Sequence, residues 1–423
     1  MNESFDMRLE QYAEVIVRVG LNLQAGQRLH IGGGAYSGFL EGPPPEAAPF
    51  VRLLAKKAYQ AGARYVDVSY EDEGLKLIRF QNAPADSFSE TSPWASEQSA
   101  RYLERGDASL TFLCSDPDLL RDQDQESVQT AQEQVFHTLG PLWNLIESNR
   151  SNWLAVAVPT PGWAAAVLPG VKPEERLDRM WEIIFDMCRI NQADPVAGWE
   201  NHVTALAELC NYLNEKRYQA LHYSGPRTDL TVGLPENHLW HSGRLESQNG
   251  VSFVANIPTE EVFTMPHRDQ INGVVKATKP LSFGGSTIEG LALTFENGQV
   301  MSARADKGQG ILDSLLRTDE GSRSLGEVAL VPHSSPISQS GLIFQNILYD
   351  ENASCHLALG NAYRFSMIDG EDMSAEAFAA AGGNQSQVHV DFMIGSGELD
   401  LDGIRSDGAR EPLMRAGEWT FGQ

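Results

Sequence analysis

The sequence predicts an α/β N-terminal domain with a mainly parallel sheet, followed by a β-rich α+β C-terminal domain. Three observations predict it. Strand and helix periods alternate through the first half, the breaker cluster Ser224-Gly225-Pro226 ends that alternation, and strand patterns dominate beyond it. These place the domains at residues 1–225 and 226–423. A chain of 423 residues lets each half bury a core of its own.

In the first half, Leu9, Tyr12 or Ala13, Ile16 and Val19 recur at helical spacing, and the β-like run Arg28–Ile31 follows. A second helical pattern, Phe50–Ala61, stops at Gly62 before the strand Tyr65–Tyr70. Ser109–Cys114 and Trp153–Val158 are further short apolar strands, with helical stretches between and after them. In the helix Pro173–Asn191, Pro173 fits the first turn, where its missing N–H is no loss. Leu177, Trp181, Ile184 and Cys188 share one of its faces. Gly32-Gly33-Gly34 follows the first strand, but Ser37 stands where the last glycine of GxGxxG belongs, so a plain turn is expected.

Beyond Tyr223, strands are expected at Thr228–Leu234, Val251–Ile257, Ile271–Thr278, Gly290–Phe295 and Gln299–Ala305. Glu296-Asn297-Gly298 joins the last two as a hairpin turn. Glu327–Val331, His356–Leu359, Val388–Ile394 and Glu418–Phe421 follow, with helical stretches near Gly310–Arg317 and Leu342–Tyr349. Asp400-Leu401-Asp402-Gly403 begins like a calcium loop but lacks the downstream ligands, so it reads as a surface turn.

Composition narrows the function classes. Fifty-seven acids against 32 bases give a net charge of −25, a field that repels phosphate backbones and anionic lipid. Neither nucleic acid nor a membrane is an expected partner. The four cysteines are scattered without a CxxC pair, and the start MNESFDMRLEQ lacks the pattern of a signal peptide. A cytoplasmic protein is expected. HExxH, GxxxxGK[ST] and GxSxG are all absent from the sequence.

Four segments of the second half instead place metal-ligand side chains inside apolar strands or at their ends: PTEEVF (258–263), LGEVAL (325–330), DENASCH (350–356) and VHVDF (388–392). An ionised carboxylate in an apolar strand costs several kcal/mol unless it is paired or bound to a metal. Glu327 has only Gly and Leu before it and Val-Ala-Leu-Val after it. His389 and Asp391 are two apart and project to one face, with Val388, Val390 and Phe392 on the other. Adjacent Glu260 and Glu261 point to opposite sides, so one of them reaches a shared site. Glu351 and His356, five apart, fit a helix end and the start of the next strand. Taken singly, the His-x-Asp pair also fits a surface pair, and Glu327 a strand-edge charge. Taken together, carboxylate and imidazole donors suit zinc, cobalt or manganese, and their number favours two ions sharing a carboxylate.

The wording of these segments resembles the thermophilic aminopeptidase family of metallopeptidases, typified by aminopeptidases T and S. The likeness runs in order through FVANIPTEEVFTMPH, GEVALVP, YDENASCHLALGNAY and NQSQVHVDFMIGSGELDLDG, and more weakly through GQRLHIGG and ERGDASLTFL in the first half. The resemblance implies dimeric cytoplasmic exopeptidases that remove N-terminal residues from peptides with two divalent metals. It assigns the ligands Glu261, Glu327, Glu351, His356, His389 and Asp391, and Tyr363 as an active-site tyrosine. Hydrolysis by a metal-activated water is implied, with Glu327 bridging the cations and Glu260 or Glu261 carrying the proton to the leaving amine. Tyr363 would then hydrogen-bond the oxyanion. The same donors could serve an amidohydrolase or a phosphoesterase, but His267-Arg268 is the one basic pair close to the motifs. The complete ligand set argues against a non-catalytic relative.

Overall fold

The computed structural model describes residues 3–34, 39–283 and 286–421; Ser37, in the failed glycine motif, lies outside them. The chain forms two compact units. The first comprises Met1–Val203, Arg244–Thr259 and Phe344–Leu348, and the second Thr204–Gly243, Glu260–Ile343 and Tyr349–Gln423. No helix among the described residues is long and apolar enough to cross a membrane.

The first unit is built on a four-stranded sheet of β1 (Arg28–Ile31), β2 (Tyr65–Val68), β3 (Ala108–Phe112) and β4 (Trp153–Val156), in the order β2-β1-β3-β4. All of its pairings are parallel, as the alternation of periods predicts. Every residue of β3 is buried. His30 of β1 is 1% exposed, and its ring stacks on Tyr102 at 5.1 Å. Both ring nitrogens meet hydroxyls, Nε2 that of Ser69 at 3.1 Å and Nδ1 that of Ser99 at 3.2 Å. The helix Pro173–Met187 is shorter than expected; Ile184 and Cys188 of the expected face are fully buried, Met180 and Ile183 are buried as well, and Leu177 is exposed.

The second unit contains two large antiparallel sheets. In the eight-stranded sheet the strands run Gln299–Arg304, Ala292–Glu296, Ile271–Lys276, Thr228–Gly233, Ala220–Gly225, Asp400–Ile404, Arg410–Arg415 and Glu418–Trp419. The breaker Ser224-Gly225-Pro226 lies at the turn between Ala220–Gly225 and Thr228–Gly233, while the first long segment of the first unit ends at Val203, inside the helix Pro195–Lys216. Asn297 and Gly298 both adopt positive φ, 49° and 85°, which the two-residue hairpin turn demands. Asp400–Ile404 is a strand and not the expected surface turn. Leu401 is fully buried there and the acids on either side of it face outward, so a single apolar residue carries the pattern.

The five-stranded sheet runs His389–Met393, His356–Gly360, Leu325–Leu330, Val262–Thr264 and His241–Ser242. One of its faces, with Val262, Val328, Leu330, Leu357, Leu359, Val390 and Phe392, joins Leu221, Tyr223, Leu230, Val232 and Leu401 of the other sheet in one apolar core. Strand alternation sends the intervening residues to the opposite face.

Candidate metal centre

That opposite face carries the chemistry. Cross-strand register lines up Glu327, Ala358 and Asp391 in one row and Ala329, His356 and Met393 in the next, with His389 opposite Gly360. Glycine or alanine therefore separates the polar side chains, leaving room above the sheet. Leu325–Leu330 is the central strand of the five, so Glu327 is not a strand-edge charge. A β-bulge at Gly326 sets its direction. Leu325 pairs with Leu359 and Glu327 already with Ala358, so two residues that plain alternation would put on one face separate. A Cβ at position 326 would overlap the carbonyl oxygens of Gly360 and Asn361.

The structure brings the carboxylates and imidazoles of distant segments together. His356 Nε2 lies 3.3 Å from Glu261 Oε2 and 3.5 Å from Glu327 Oε1. His389 Nε2 lies 3.4 Å from Glu327 Oε2 and 3.5 Å from Asp391 Oδ1. Two triads result, Glu261–Glu327–His356 and Glu327–His389–Asp391, each with its donor atoms within 4.8 Å of one another. Glu351 ends the helix Ile347–Glu351, and His356 begins its strand. The Glu351 carboxyl feels the charges of Glu261, Asp391, His356 and Glu327. Tyr363 lies beside His389, ring centroids 4.9 Å apart. Glu261 is the member of the Glu260-Glu261 pair that meets His356.

Asn352 is a residue that the sequence reading missed. Fully buried, it accepts a hydrogen bond from the Glu260 amide at 2.7 Å and donates from Nδ2 to Glu351 Oε1 at 3.3 Å. It thus ties two of the four segments together. An Asn after a helix-ending Glu looks like an ordinary cap, and nothing local distinguishes it.

The donor chemistry fits a divalent cation. His356 Nδ1 meets Ser354 O at 3.1 Å, and His389 Nδ1 meets Asn361 O at 2.8 Å. A carbonyl only accepts, so each Nδ1 carries a proton and each neutral ring turns the lone pair of Nε2 toward carboxylates. Lone pairs facing anions require a proton or a cation between them. Glu261 Oε2 and Asp391 Oδ1 are, moreover, buried and accept no hydrogen bond among the described residues.

The electrostatics agree. Burial pushes the Glu261 carboxyl up to about 8; His356 opposes this, and Glu327 and Asp391 add to it. Burial also opposes ionisation of Glu327, yet His356 and His389 together outweigh it and hold that carboxyl at about 2. Burial would lower His356, but Glu327, Glu261 and Asp391 raise it to about 10. His389 is raised as well, because Asp391 and Glu327 overcome its burial. Glu351 is pushed well above the carboxylate range by burial and by the charges of Glu261 and Asp391. Without metal, protons supply the positive charge that the cluster needs.

Comparison with known proteins gives the family. Residues 5–419 match the family described as thermophilic metalloprotease (M29). Aminopeptidase 2 of Geobacillus stearothermophilus is 46% identical over 417 residues, covering 99% of this chain and 98% of the relative. Aminopeptidase T of Thermus thermophilus is 46% identical over 418 residues, covering 99% and 100%. The solved structure of wild-type AmpT from Thermus thermophilus superposes with a TM-score of 0.89 at 45% identity, covering 99% of this chain and 100% of that one. Family, length and fold coincide over the whole chain, and the protein belongs to the thermophilic metalloproteases of family M29.

Proposed function

We propose that this chain is a metal-dependent aminopeptidase that hydrolyses the N-terminal residue from peptides, using two divalent cations held by Glu261, Glu327, Glu351, His356, His389 and Asp391. The observation that carries the reading is the carboxylate of Glu327. It belongs to both triads, with one oxygen toward His356 and the other toward His389, the disposition a bridging ligand requires. The charges support two ions: four carboxylates bring about −4, which two divalent cations would neutralise with the imidazoles uncharged. Zinc, cobalt and manganese all accept this donor set.

When bound, such ions supply Lewis-acid polarisation of the scissile carbonyl and activation of water. The protein residues do the rest. The carbonyls of Ser354 and Asn361 hold both imidazoles in the ligating tautomer. A carboxyl of the Glu260-Glu261 pair carries the proton to the leaving amine. Tyr363, whose ring lies beside that of His389, would donate a hydrogen bond to the developing oxyanion. The substrate's free α-amino group meets the carboxylate-rich side of the cluster, which limits cleavage to the first residue. In the same reading the enzyme is a cytoplasmic homodimer, on family resemblance.

Hydrolysis of leucine p-nitroanilide before and after chelation tests the proposal, with metal content measured by mass spectrometry. Activity should vanish with the metal, return on adding zinc, cobalt or manganese, and be absent on an N-acetylated substrate. Cleavage that survives complete metal removal, or equal cleavage of the acetylated substrate, would sink it.

A further inference from the structure

Beside the metal-ligand cluster, the same sheet face continues into a group of rings. Phe263 pairs across the strands with Ala329 on one side and His241 on the other, and Ala329 pairs in turn with His356. Phe263 therefore stands on the ligand-bearing face, separated from His356 by one methyl group. Two rings from the loop after His356–Gly360 close on it. Tyr363 stacks on Phe365 with centroids 5.2 Å apart at 12°, and Phe263 meets them edge-on at 6.4 and 6.2 Å. His241 packs against Phe263 at 6.0 Å and Phe365 at 5.0 Å, and its Nε2 reaches Phe365 O at 2.8 Å. The loop is thus pinned to the sheet by a hydrogen bond as well as by ring contacts. The other end of the group is Tyr363 against His389.

These rings are not sealed into a core. Tyr363 and Phe365 are half-buried, and Phe263 keeps 9% exposure, while Val262 on the core face has none. An aromatic surface beside a cluster of carboxylates offers apolar contact where the neighbouring groups offer charge.

We infer that Phe263 and Phe365, with the ring of Tyr363 at the edge, form the wall that receives the side chain of the substrate's first residue, so that the enzyme selects aromatic and large apolar N-terminal residues. The inference rests on the aminopeptidase reading above. In that reading the amino group and scissile carbonyl of the first residue lie at the ligand cluster, and the rings from Phe263 to Tyr363 beside His389 are the apolar surface that borders it. Phe263 and Phe365 act by contact with the side chain and take no part in proton transfer. His241 is a positioning residue that acts through Phe365.

The test is kcat/KM on the p-nitroanilides of Phe, Leu, Ala and Glu for the metal-loaded wild type, Phe263→Ala, Phe365→Ala and the conservative Phe263→Leu and Phe365→Leu, with metal content measured for each. The wild type should prefer Phe and Leu to Ala and Glu by about tenfold or more, and each alanine variant should lower the Phe-to-Ala ratio by about 10–100-fold, mainly through KM. The leucine variants should keep part of the Leu selectivity, and they carry the measurement should an alanine variant lose its metal. A Phe-to-Ala ratio unchanged within about twofold in metal-replete variants overturns the inference, as does a wild type preferring Ala or Glu. A wild type that cleaves none of the four anilides counts instead against the aminopeptidase reading itself.

Discussion

Two histidines, each 1% exposed, occupy strands of the two units and behave oppositely. His30 in the parallel sheet is flanked by the hydroxyls of Ser69 and Ser99, and burial pushes it down to about 4. His356 in the antiparallel sheet faces Glu261 and Glu327 and, despite the same burial, is raised to about 10. A hydroxyl both donates and accepts, so it satisfies a neutral ring completely. A carboxylate only accepts, so a ring whose other nitrogen already holds the proton needs something positive in between. Burial alone does not set the charge of a histidine; what its second nitrogen confronts does.

Three experiments sharpen or break this contrast. The largest effect is expected at Glu327, where both triads meet. Glu327→Gln should reduce bound metal and lower kcat/KM about 10³-fold, about 4 kcal/mol in the barrier. Full metal content and full activity in this variant would remove the basis for reading His356 as a ligand.

The second experiment concerns His30 and the sign of its titration. Its folded value lies below the ordinary 6.5, so the unfolded chain takes up the proton first as pH falls. The stability due to the neutral ring is complete above about 6.5 and drains away toward about 4, by about 3 kcal/mol at most. His30→Gln lacks this titration, so denaturant melts of the two proteins should diverge over that window, with the wild type losing ground. For His356 in the metal-free protein the sign reverses: its contribution is complete below 6.5 and is lost as pH rises toward about 10. Parallel melts of wild type and His30→Gln would refute the assignment of His30 as a buried neutral ring.

The smallest effect is expected at Asn352, which touches Glu351 through one hydrogen bond. Asn352→Ala should weaken metal affinity by about 10–100-fold, read by competition with a chelating dye, while near-saturating metal restores most of the activity. Unchanged affinity would show that Glu351 is oriented without its neighbour.

Much of this was legible in the sequence, for identifiable reasons. Val388–Phe392 alternates strictly, so His389 and Asp391 fall on one face and Val390 and Phe392 on the other, where both join the apolar core. His30, inside the β-like run Arg28–Ile31 with no acidic neighbour in that run, is satisfied by hydroxyls. Other features depend on contacts between segments far apart in sequence. Alternation across Leu325-Gly326-Glu327 gives the wrong face for one of the flanking residues, because register with His356–Gly360 decides where the bulge falls. The neighbours Glu260 and Glu261 are told apart only by His356. Asp400–Ile404 reads as a surface turn because its pairing with Ala220–Gly225, not its own pattern, holds an otherwise acidic strand in place.

Gly326 has a further consequence. The Asn361 carbonyl, against which that glycine lies, is the one that receives the Nδ1 proton of His389. A single added methyl at this chemically silent position would press on that carbonyl and reach the imidazole of His389 through main chain alone. A mutation that changes neither charge nor polarity, at a residue outside both triads, would then register as a lesion of the candidate metal centre.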